Sequence, residues 1–172
     1  MMGRLLRVGI VGVGTIGVNH LETYHACRKA RVVAIADVKE DLVKSVASKY
    51  GIKRFFTDYR DLLTLKDVDA VSVCTPPFAH APVTCDAASA GKHVLCEKPM
   101  AMNAEEARRM VDACKRAGVK LGICHGRVRF NPAAEMARKY VASGKLGTVY
   151  YARVSRFRRR GRPGLDILES SK

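Results

Sequence analysis

The sequence has 172 residues and a net charge of +15, and 48% of its residues are hydrophobic. This composition is typical of one globular domain with a short further segment, and no internal repeat or low-complexity linker interrupts it. No apolar run approaches the roughly 20 residues that a membrane span needs, and residues 1–7 are too short for a signal peptide. We therefore expect a cytoplasmic protein.

The charge is concentrated in the last third of the chain. Residues 1–114 carry 16 basic and 13 acidic residues, whereas residues 115–172 carry 15 and 3. A basic run over Arg156–Arg162 is, taken alone, most often a solvated strand end or a disordered tail. The change in composition predicts a change of structural context near residues 115–125.

The six cysteines form no CxxC pair and mostly lie in apolar segments. This pattern favours reduced thiols in the core over disulfides or metal ligands, and we predict no metal site. The cysteines are Cys27, Cys74, Cys85, Cys96, Cys114 and Cys124.

Strand-like and helix-like stretches alternate up to about residue 125, which is typical of parallel strands joined by crossover helices. The predicted strands are Val8–Val11, Val32–Asp37, Phe55–Phe56, Ala70–Cys74, His93–Cys96 and Val119–Ile123. The predicted helices are Thr15–Cys27, Glu40–Tyr50, Ala79–Ala90, Asn103–Ala117 and Pro132–Ser143. The first six strands complete a doubly wound α/β sheet, and a further long strand is predicted over Thr148–Arg158.

A glycine-rich turn, GVGTIG, follows the first strand and opens the first helix. Gly12 permits the tight turn, Gly14 lets a pyrophosphate approach the backbone, and Gly17 lets helix and strand pack closely. Thr15 and Ile16 lie between them, where the helix N-terminus attracts an anion. The turn therefore predicts a phosphate-binding loop, with a merely structural glycine turn as the alternative.

Asp37 ends the second strand, 20 residues beyond Gly17. A carboxylate at this place can accept hydrogen bonds from the ribose hydroxyls of a dinucleotide, and it repels a 2′-phosphate. Lys39 could reach a 2′-phosphate, although a lysine at the start of an exposed helix is usually only solvated. We therefore predict NAD as the cofactor in preference to NADP.

Two more strand ends lie at the same edge of the predicted sheet. The segment Cys74-Thr75-Pro76 is expected to line the nicotinamide half of the cofactor, because ligands of open α/β sheets bind at the carboxyl ends of the strands. Glu97 and Lys98 follow the next strand. A lysine there is suited to carry a proton beside a positively charged nicotinamide, or it is a surface lysine before a turn.

The segments GVGTIGVNH, AIADVKED, VCTPPFAH, AGKHVLCEKPMAMNAEEA and VRFNPA, in this order, resemble the Gfo/Idh/MocA oxidoreductases. This family includes inositol, glucose-fructose and nucleotide-sugar dehydrogenases. The resemblance runs from about residue 6 to residue 165. It implies a Rossmann fold and a hydride transfer between the nicotinamide and a carbon that bears a secondary hydroxyl.

The resemblance assigns roles to individual residues. Lys98 would be catalytic and exchange the hydroxyl proton, Glu97 would hold the lysine and the ribose, and the Lys98–Pro99 peptide bond would be cis. Arg129, in the RFNP segment, would bind the cofactor near the nicotinamide. His80 matches the PPxxH pattern and is predicted to bind the cofactor, although a histidine packed on the sheet is an equal alternative for it, and the structural role leads for His20.

The resemblance also implies a second domain of α+β type with an open antiparallel sheet, which carries an Asp and a His of the catalytic site. No histidine follows His125, and Asp166 comes too early. We therefore predict a dinucleotide-binding Rossmann domain over 1–124 and an incomplete C-terminal substrate and oligomerisation domain over 125–172. The chain is then an N-terminal portion that binds NAD and has little activity by itself, and the longer protein is expected to be a homo-oligomer.

Three functions remain open from the sequence. The leading one is an NAD-dependent dehydrogenase that acts on a ring hydroxyl of a sugar, cyclitol or nucleotide sugar. The alternative is a non-catalytic NAD-binding sensor or regulatory module. The third and weakest is a nucleic-acid-binding protein that uses the basic segment Arg153–Arg162, which is disfavoured because no nucleic-acid motif is present. The same segment could instead meet an anionic substrate.

Overall fold

The computed structural model describes residues 5–126 and 130–155, and the chain divides between His125 and Gly126 into two units. The strands of the first unit are β1 (Leu6–Val11), β2 (Ala30–Ala36), β3 (Phe55–Phe56), β4 (Ala70–Val73), β5 (His93–Cys96) and β6 (Leu121–Ile123). Its helices are α1 (Thr15–Ala26), α2 (Glu40–Tyr50), α3 (Tyr59–Leu63), α4 (His80–Ser89) and α5 (Ala104–Arg116). A 3₁₀ turn, Pro77–Ala79, leads into α4.

All six strands are parallel and lie in the order β3-β2-β1-β4-β5-β6. This is the strand order of a doubly wound Rossmann sheet, so the predicted α/β fold is confirmed. The order reverses between β1 and β4, where two neighbouring strands send their connections to opposite sides. The carboxyl ends of these two strands border the crevice in which such sheets bind ligands.

The apolar residues of the strands divide between two cores, one on each face of the sheet. Ile10 and Ile35 pack with Leu21 of α1 and Val43 of α2. Val11, Ala34 and Ala36 point to the other face, because successive side chains of a strand alternate. On that face they join apolar side chains of α3, α4 and α5, including Leu62, Val83 and Met110. Helices therefore cover both faces, and the edges of the sheet remain for polar chemistry.

Helix α5 begins as the sequence predicts. The Asn103 side chain accepts a hydrogen bond of 2.9 Å from the Glu106 backbone N–H, and the Glu106 carboxylate accepts one from the Met102 N–H. The first bond satisfies a backbone donor that the first turn leaves without a partner, and the second ties the residue before the N-cap to the same turn. The helix buries Met110 and Cys114.

The sequence did not predict helix α3, which has only five residues. The Asp58 carboxylate caps it by accepting a hydrogen bond of 2.8 Å from the Arg60 N–H. Buried Leu62 and Leu63 attach it to the core. A helix this short shows too little periodicity for detection, and Asp58 was its one sequence signal.

The second unit contains α6 (Pro132–Ala142), which the sequence predicts and which Asn131 caps. The strand predicted over Thr148–Arg158 is wrong for residues 148–155, which are exposed and form no ladder with any described residue. A strand exists only with a hydrogen-bonded partner, and alternation of side chains does not supply one. Residues 156–158 of that prediction lie outside the described residues.

The six cysteines all lie in the described residues and none forms a disulfide. Cys96 and Cys114 are buried, as predicted, but Cys27 is exposed, so the prediction of a core thiol is wrong there. Cys27 is the C-cap of α1 and lies in the turn before β2, away from either core. No helix within the described residues is long and apolar enough to cross a membrane.

Candidate active site

The glycine loop joins β1 to α1 at the reversal of strand order. Gly12 has φ +87°, and a Cβ there would lie 2.8 Å from the Cys74 carbonyl oxygen. A Cβ on Gly17 would lie 1.9 Å from the carbonyl oxygen of Gly12. Both positions therefore require glycine for the fold itself, since neither backbone neighbour can move aside.

Gly14 differs from its two neighbours because the folded chain imposes no need for glycine there. Its φ is −66°, and a Cβ would meet no described atom within 4 Å. It precedes Thr15 and Ile16, both exposed, at the start of α1. Within the described chain no side chain caps α1, and its first turn holds no acidic residue. The backbone donors of this turn therefore remain available to an anion.

Asp37 lies directly after β2 and is only partly exposed. Its Oδ2 accepts a hydrogen bond of 2.8 Å from the Val13 N–H, and its Oδ1 accepts one of 3.0 Å from the Lys39 N–H. Asp37 thus ties the glycine loop to the end of β2. A carboxylate offers about four lone-pair sites, so two sites are left for the hydroxyls of a ribose.

The end of β4 lies beside the glycine loop. Burial raises the pKa of the Cys74 thiol far above its ordinary value, and the nearby Glu97 carboxylate adds to the effect. Thr75 follows it, and its buried Oγ1 has no hydrogen-bond partner among the described residues. Pro76 is exposed at the rim. A buried hydroxyl without a partner is costly, and it is explained when a ligand supplies one.

His80 is 1% exposed and connects two segments of the site. Its Nδ1 lies 2.7 Å from the Pro99 carbonyl oxygen, and its Nε2 lies 2.8 Å from that of Thr75. The ring therefore lies between two carbonyl oxygens, and its tautomer determines which nitrogen donates a hydrogen bond. The ring thus holds the backbone of Thr75 and that of Pro99 in place. Direct binding of the cofactor by His80 stays a prediction.

The end of β5 carries the Glu97–Lys98 pair. Glu97 Oε2 accepts a hydrogen bond of 3.1 Å from the Lys98 backbone N–H, and Oε1 lies 3.1 Å from His20 Nε2. The Lys98 side chain is exposed. The Lys98–Pro99 peptide bond is cis, which confirms the prediction. Glu97 is thus fixed from two directions, while the ammonium group of Lys98 extends from the edge of the sheet.

Sequence reasoning missed that His20, Glu97 and Cys124 come together. His20 is three residues beyond Gly17 in α1, and Cys124 directly follows β6. Their positions in the sequence could have indicated this. Glu97 and Cys124 directly follow neighbouring strands, and His20 lies about one turn into α1, so all three lie at the carboxyl edge, where the parallel strands end. Arg129, the remaining predicted cofactor-binding residue, lies outside the described residues.

These features fit a dinucleotide. The loop offers donors for a pyrophosphate with open space at Gly14, Asp37 keeps acceptor capacity for a ribose, and Thr75 keeps an unpartnered hydroxyl. They lie at the ends of β1, β2 and β4, which meet at the reversal of strand order. The fold and site therefore define a dinucleotide-binding Rossmann domain.

Residues 6–125 match the model of the Gfo/Idh/MocA family, described as an oxidoreductase family with an NAD-binding Rossmann fold. The chain belongs to this family, whose model describes an NAD-binding Rossmann fold. The resemblance seen in the sequence is thereby confirmed.

Characterised relatives are dehydrogenases of sugars and cyclitols. The chain is 32% identical over 96% of its length to myo-inositol 2-dehydrogenase of Thermotoga maritima, of which it covers 49%. It is 34% identical over 94% of its length to D-glucoside 3-dehydrogenase of Escherichia coli, of which it covers 46%. The chain thus spans about half the length of these relatives.

A solved structure with the same fold is the WlbA dehydrogenase of Bordetella pertussis in complex with NADH and UDP-GlcNAcA. It is 34% identical, with a TM-score of 0.79, over 86% of this chain and 45% of that one.

Proposed function

We propose that the protein is an NAD-dependent oxidoreductase that transfers a hydride between nicotinamide and a secondary ring hydroxyl of a sugar, cyclitol or nucleotide sugar. The observation that carries the proposal is the placement of Lys98 beside Glu97 at the end of β5, two strands from the glycine loop along one edge. The names of the relatives support the substrate class, since they include inositol and glucoside dehydrogenases.

The chemistry that NAD supplies when bound is the acceptance or donation of a hydride at its nicotinamide ring. The loop from Gly12 to Gly17 and the start of α1 bind the pyrophosphate, and Asp37 accepts hydrogen bonds from the adenosine ribose. The segment Cys74-Thr75-Pro76 lines the nicotinamide half, and its Thr75 hydroxyl donates to that ligand. These residues hold the cofactor in place, and transfer of the substrate hydroxyl proton requires a different group.

Lys98 is the proposed catalytic residue. Its amino group, on a side chain exposed at the sheet edge, takes the substrate hydroxyl proton as the neutral amine during oxidation, and the resulting ammonium group returns the proton during reduction. Glu97 positions the lysine, because its Oε2 binds the Lys98 N–H while His20 holds its Oε1. His80 and Arg129 complete the proposed cofactor contacts, His80 by fixing the Thr75 and Pro99 carbonyls.

We propose that residues 125–172 begin a second domain that contributes to substrate binding and to homo-oligomer formation. Exposed Arg153 and the following basic segment suit an anionic substrate. The neighbour bound to UDP-GlcNAcA supports this choice, since that molecule is an anionic nucleotide sugar. Because the chain spans about half the length of these relatives, we expect it to bind NAD and to turn substrate over slowly.

The test is Lys98→Met, with Lys115→Met as the matched control at an exposed lysine of α5. At high enzyme concentration, NADH formation from inositol, glucosides and UDP-sugars is followed over hours by absorbance. We expect slow formation by the wild type and by Lys115→Met, at least about tenfold less by Lys98→Met, and the same NADH affinity for all three. No formation by the wild type with any substrate, together with intact NADH binding, would favour the non-catalytic NAD-binding module.

A further inference from the structure

Three potential metal ligands of different chemistry meet at the carboxyl edge of the sheet. The Nε2 of His20, on α1, lies 3.1 Å from Glu97 Oε1 and 3.9 Å from the Cys124 sulfur. All three ligand atoms lie within 4.8 Å of one another, and all three residues are partly buried. The side chains of His20 and Glu97 are each only 14% exposed, so the cluster is largely shielded from water.

Two further potential ligand atoms approach one ring nitrogen in this arrangement. Both the Glu97 carboxylate and the Cys124 sulfur approach the same ring nitrogen of His20. That nitrogen carries at most one hydrogen, which it can donate well in one direction only. A cation accepts lone pairs from the imidazole nitrogen, the carboxylate oxygen and the deprotonated sulfur at once, and these three atoms lie close enough together to share one ion.

Two of the three distances between the ligand atoms are compatible with a single bound ion. In a tetrahedral zinc site with bonds of about 2.0 Å to N and O and about 2.3 Å to S, the N···O edge is about 3.3 Å and the N···S edge about 3.6 Å. The observed edges of 3.1 Å and 3.9 Å differ from these values by a few tenths of an ångström. Glu97 is already oriented, because its other oxygen accepts the Lys98 N–H. Small side-chain rotations therefore complete three of four positions.

We propose that His20, Glu97 and Cys124 bind Zn²⁺ or a divalent cation of similar softness, with the fourth position open to water or to another ligand. The mixture of imidazole, thiolate and carboxylate selects zinc over magnesium or calcium, which prefer oxygen alone. On binding, Cys124 releases its proton to solvent and the imidazole ligates through the Nε2 lone pair. Three protein ligands with one open position form an exchangeable site rather than a closed structural one.

The first experiment uses Co²⁺ as the probe, since it occupies zinc sites and gives a thiolate charge-transfer band in the near ultraviolet. The full 172-residue chain is titrated with Co²⁺, and Zn²⁺ is then added to displace it. We expect a saturable band of one equivalent that Zn²⁺ abolishes. Cys124→Ser is expected to remove the band, and His20→Asn to weaken binding at least about tenfold.

Two matched controls use exposed residues of the same kinds in the same part of the chain, Cys27→Ser and His25→Asn. Both are expected to keep the band and its affinity. A band that survives Cys124→Ser, or that Cys27→Ser removes, would overturn the proposal. Circular dichroism of each variant establishes that it is folded, and Glu97→Gln provides a second ligand variant if Cys124→Ser does not fold.

A consequence of the site rests on the proposed function. Glu97 is predicted to hold the ribose of the cofactor, and its Oε1 is not available to that ribose while it ligates a cation, whereas Oε2 keeps its bond to the Lys98 N–H. We therefore expect saturating Zn²⁺ to weaken NADH binding at least about fivefold in the wild type and not in Cys124→Ser. Equal NADH affinity with and without bound Zn²⁺ would contradict this consequence. If NADH does not bind at all, the proposed function fails while the Co²⁺ titration still decides the metal site.

Discussion

The two edges of the sheet use their charged groups differently. At the amino edge, where the strands begin, Arg7 forms a two-pronged ion pair with Asp69, at 2.8 and 3.0 Å. Arg54 forms another with Asp67, at 2.6 and 2.7 Å. Buried Lys92 donates a hydrogen bond of 2.7 Å to the Leu65 carbonyl. Each of these three cationic side chains therefore has a hydrogen-bond partner among the described residues.

At the carboxyl edge several groups have capacity to spare. Thr75 Oγ1 lacks a partner among the described residues, Gly14 faces open space, and Lys98 is exposed. Two lone-pair sites of Asp37 remain beyond its two backbone bonds. The contrast indicates that the polar contacts of the amino edge stabilise the fold, whereas polar groups of the carboxyl edge are available to bind a ligand. Substitutions at the two edges should therefore affect different measurements.

The largest effect is expected from Gly17→Ala at the carboxyl edge. Its Cβ would collide with the Gly12 carbonyl oxygen at 1.9 Å, and backbone must move to relieve the clash. We expect a loss of about 3 kcal/mol in the free energy of unfolding, measured by urea denaturation, together with loss of NADH binding. A stability equal to that of the wild type would show that the loop is not built as the structure has it.

Gly14→Ser separates ligand binding from folding in the same loop. Serine is a good N-cap residue, and its Cβ meets no described atom within 4 Å, so the free energy of unfolding should not fall. NADH binding should weaken about tenfold, or about 1.4 kcal/mol, because the side chain enters the space of the pyrophosphate. Calorimetric titration measures the affinity.

The matched control for Gly14→Ser is Gly118→Asn, in the turn before β6 at the amino edge. Gly118 has φ +66° and open space around its Cβ, a conformation that asparagine tolerates. The control should leave NADH affinity unchanged. If both variants bind NADH like the wild type, Gly14 is not at the pyrophosphate.

Asp67→Asn tests the amino edge. The hydrogen bond from Arg54 is the main cause that holds the pKa of Asp67 below its ordinary value of 3.8. In the folded state this carboxylate resists protonation, so its contribution is present above pH 3.8 and is lost as the pH falls through the lowered pKa. We expect the variant to lose a few degrees of Tm at neutral pH, with the difference from wild type shrinking in acid. NADH affinity at neutral pH should not change, and a changed affinity would break the contrast between the edges.

The smallest effect is expected from Lys92→Met, also at the amino edge. Burial lowers the pKa of Lys92 below 10.5, so the unfolded chain holds more protons than the folded one between the lowered pKa and pH 10.5. The wild type should therefore gain stability relative to Lys92→Met as the pH rises through this interval. At neutral pH the difference should be about 1 kcal/mol or less, measured by urea denaturation at a series of pH values. A wild-type advantage that shrinks on going to alkaline pH would contradict the buried position of the amine.

Much of the site could be predicted from the sequence because its signals are local. The glycine spacing and Asp37 after a strand reflect backbone requirements that neighbouring residues already define, and the structure connects them through the Val13 N–H. The contact of His20 with Glu97 joins residues 77 positions apart. Such a contact depends on strand order and side-chain rotamers, which no local pattern encodes.

The wrong prediction of a strand over residues 148–155 has a related cause. Alternation of apolar residues such as Tyr150 and Val154 describes which face a strand would bury, and it carries no information on whether a partner strand is present. Both side chains are more than nine-tenths exposed. Pairing is a tertiary property, and the sequence pattern cannot supply it.

The central claim is that the carboxyl edge binds a dinucleotide, and hydrogen–deuterium exchange with and without NADH tests it most directly. The account predicts slower exchange of backbone amides between Gly12 and Val18 and around Thr75 and Lys98, with unchanged exchange at Arg7, Asp69 and Lys92. Exchange that is unchanged at the glycine loop, or slowed only at the amino edge, would contradict it.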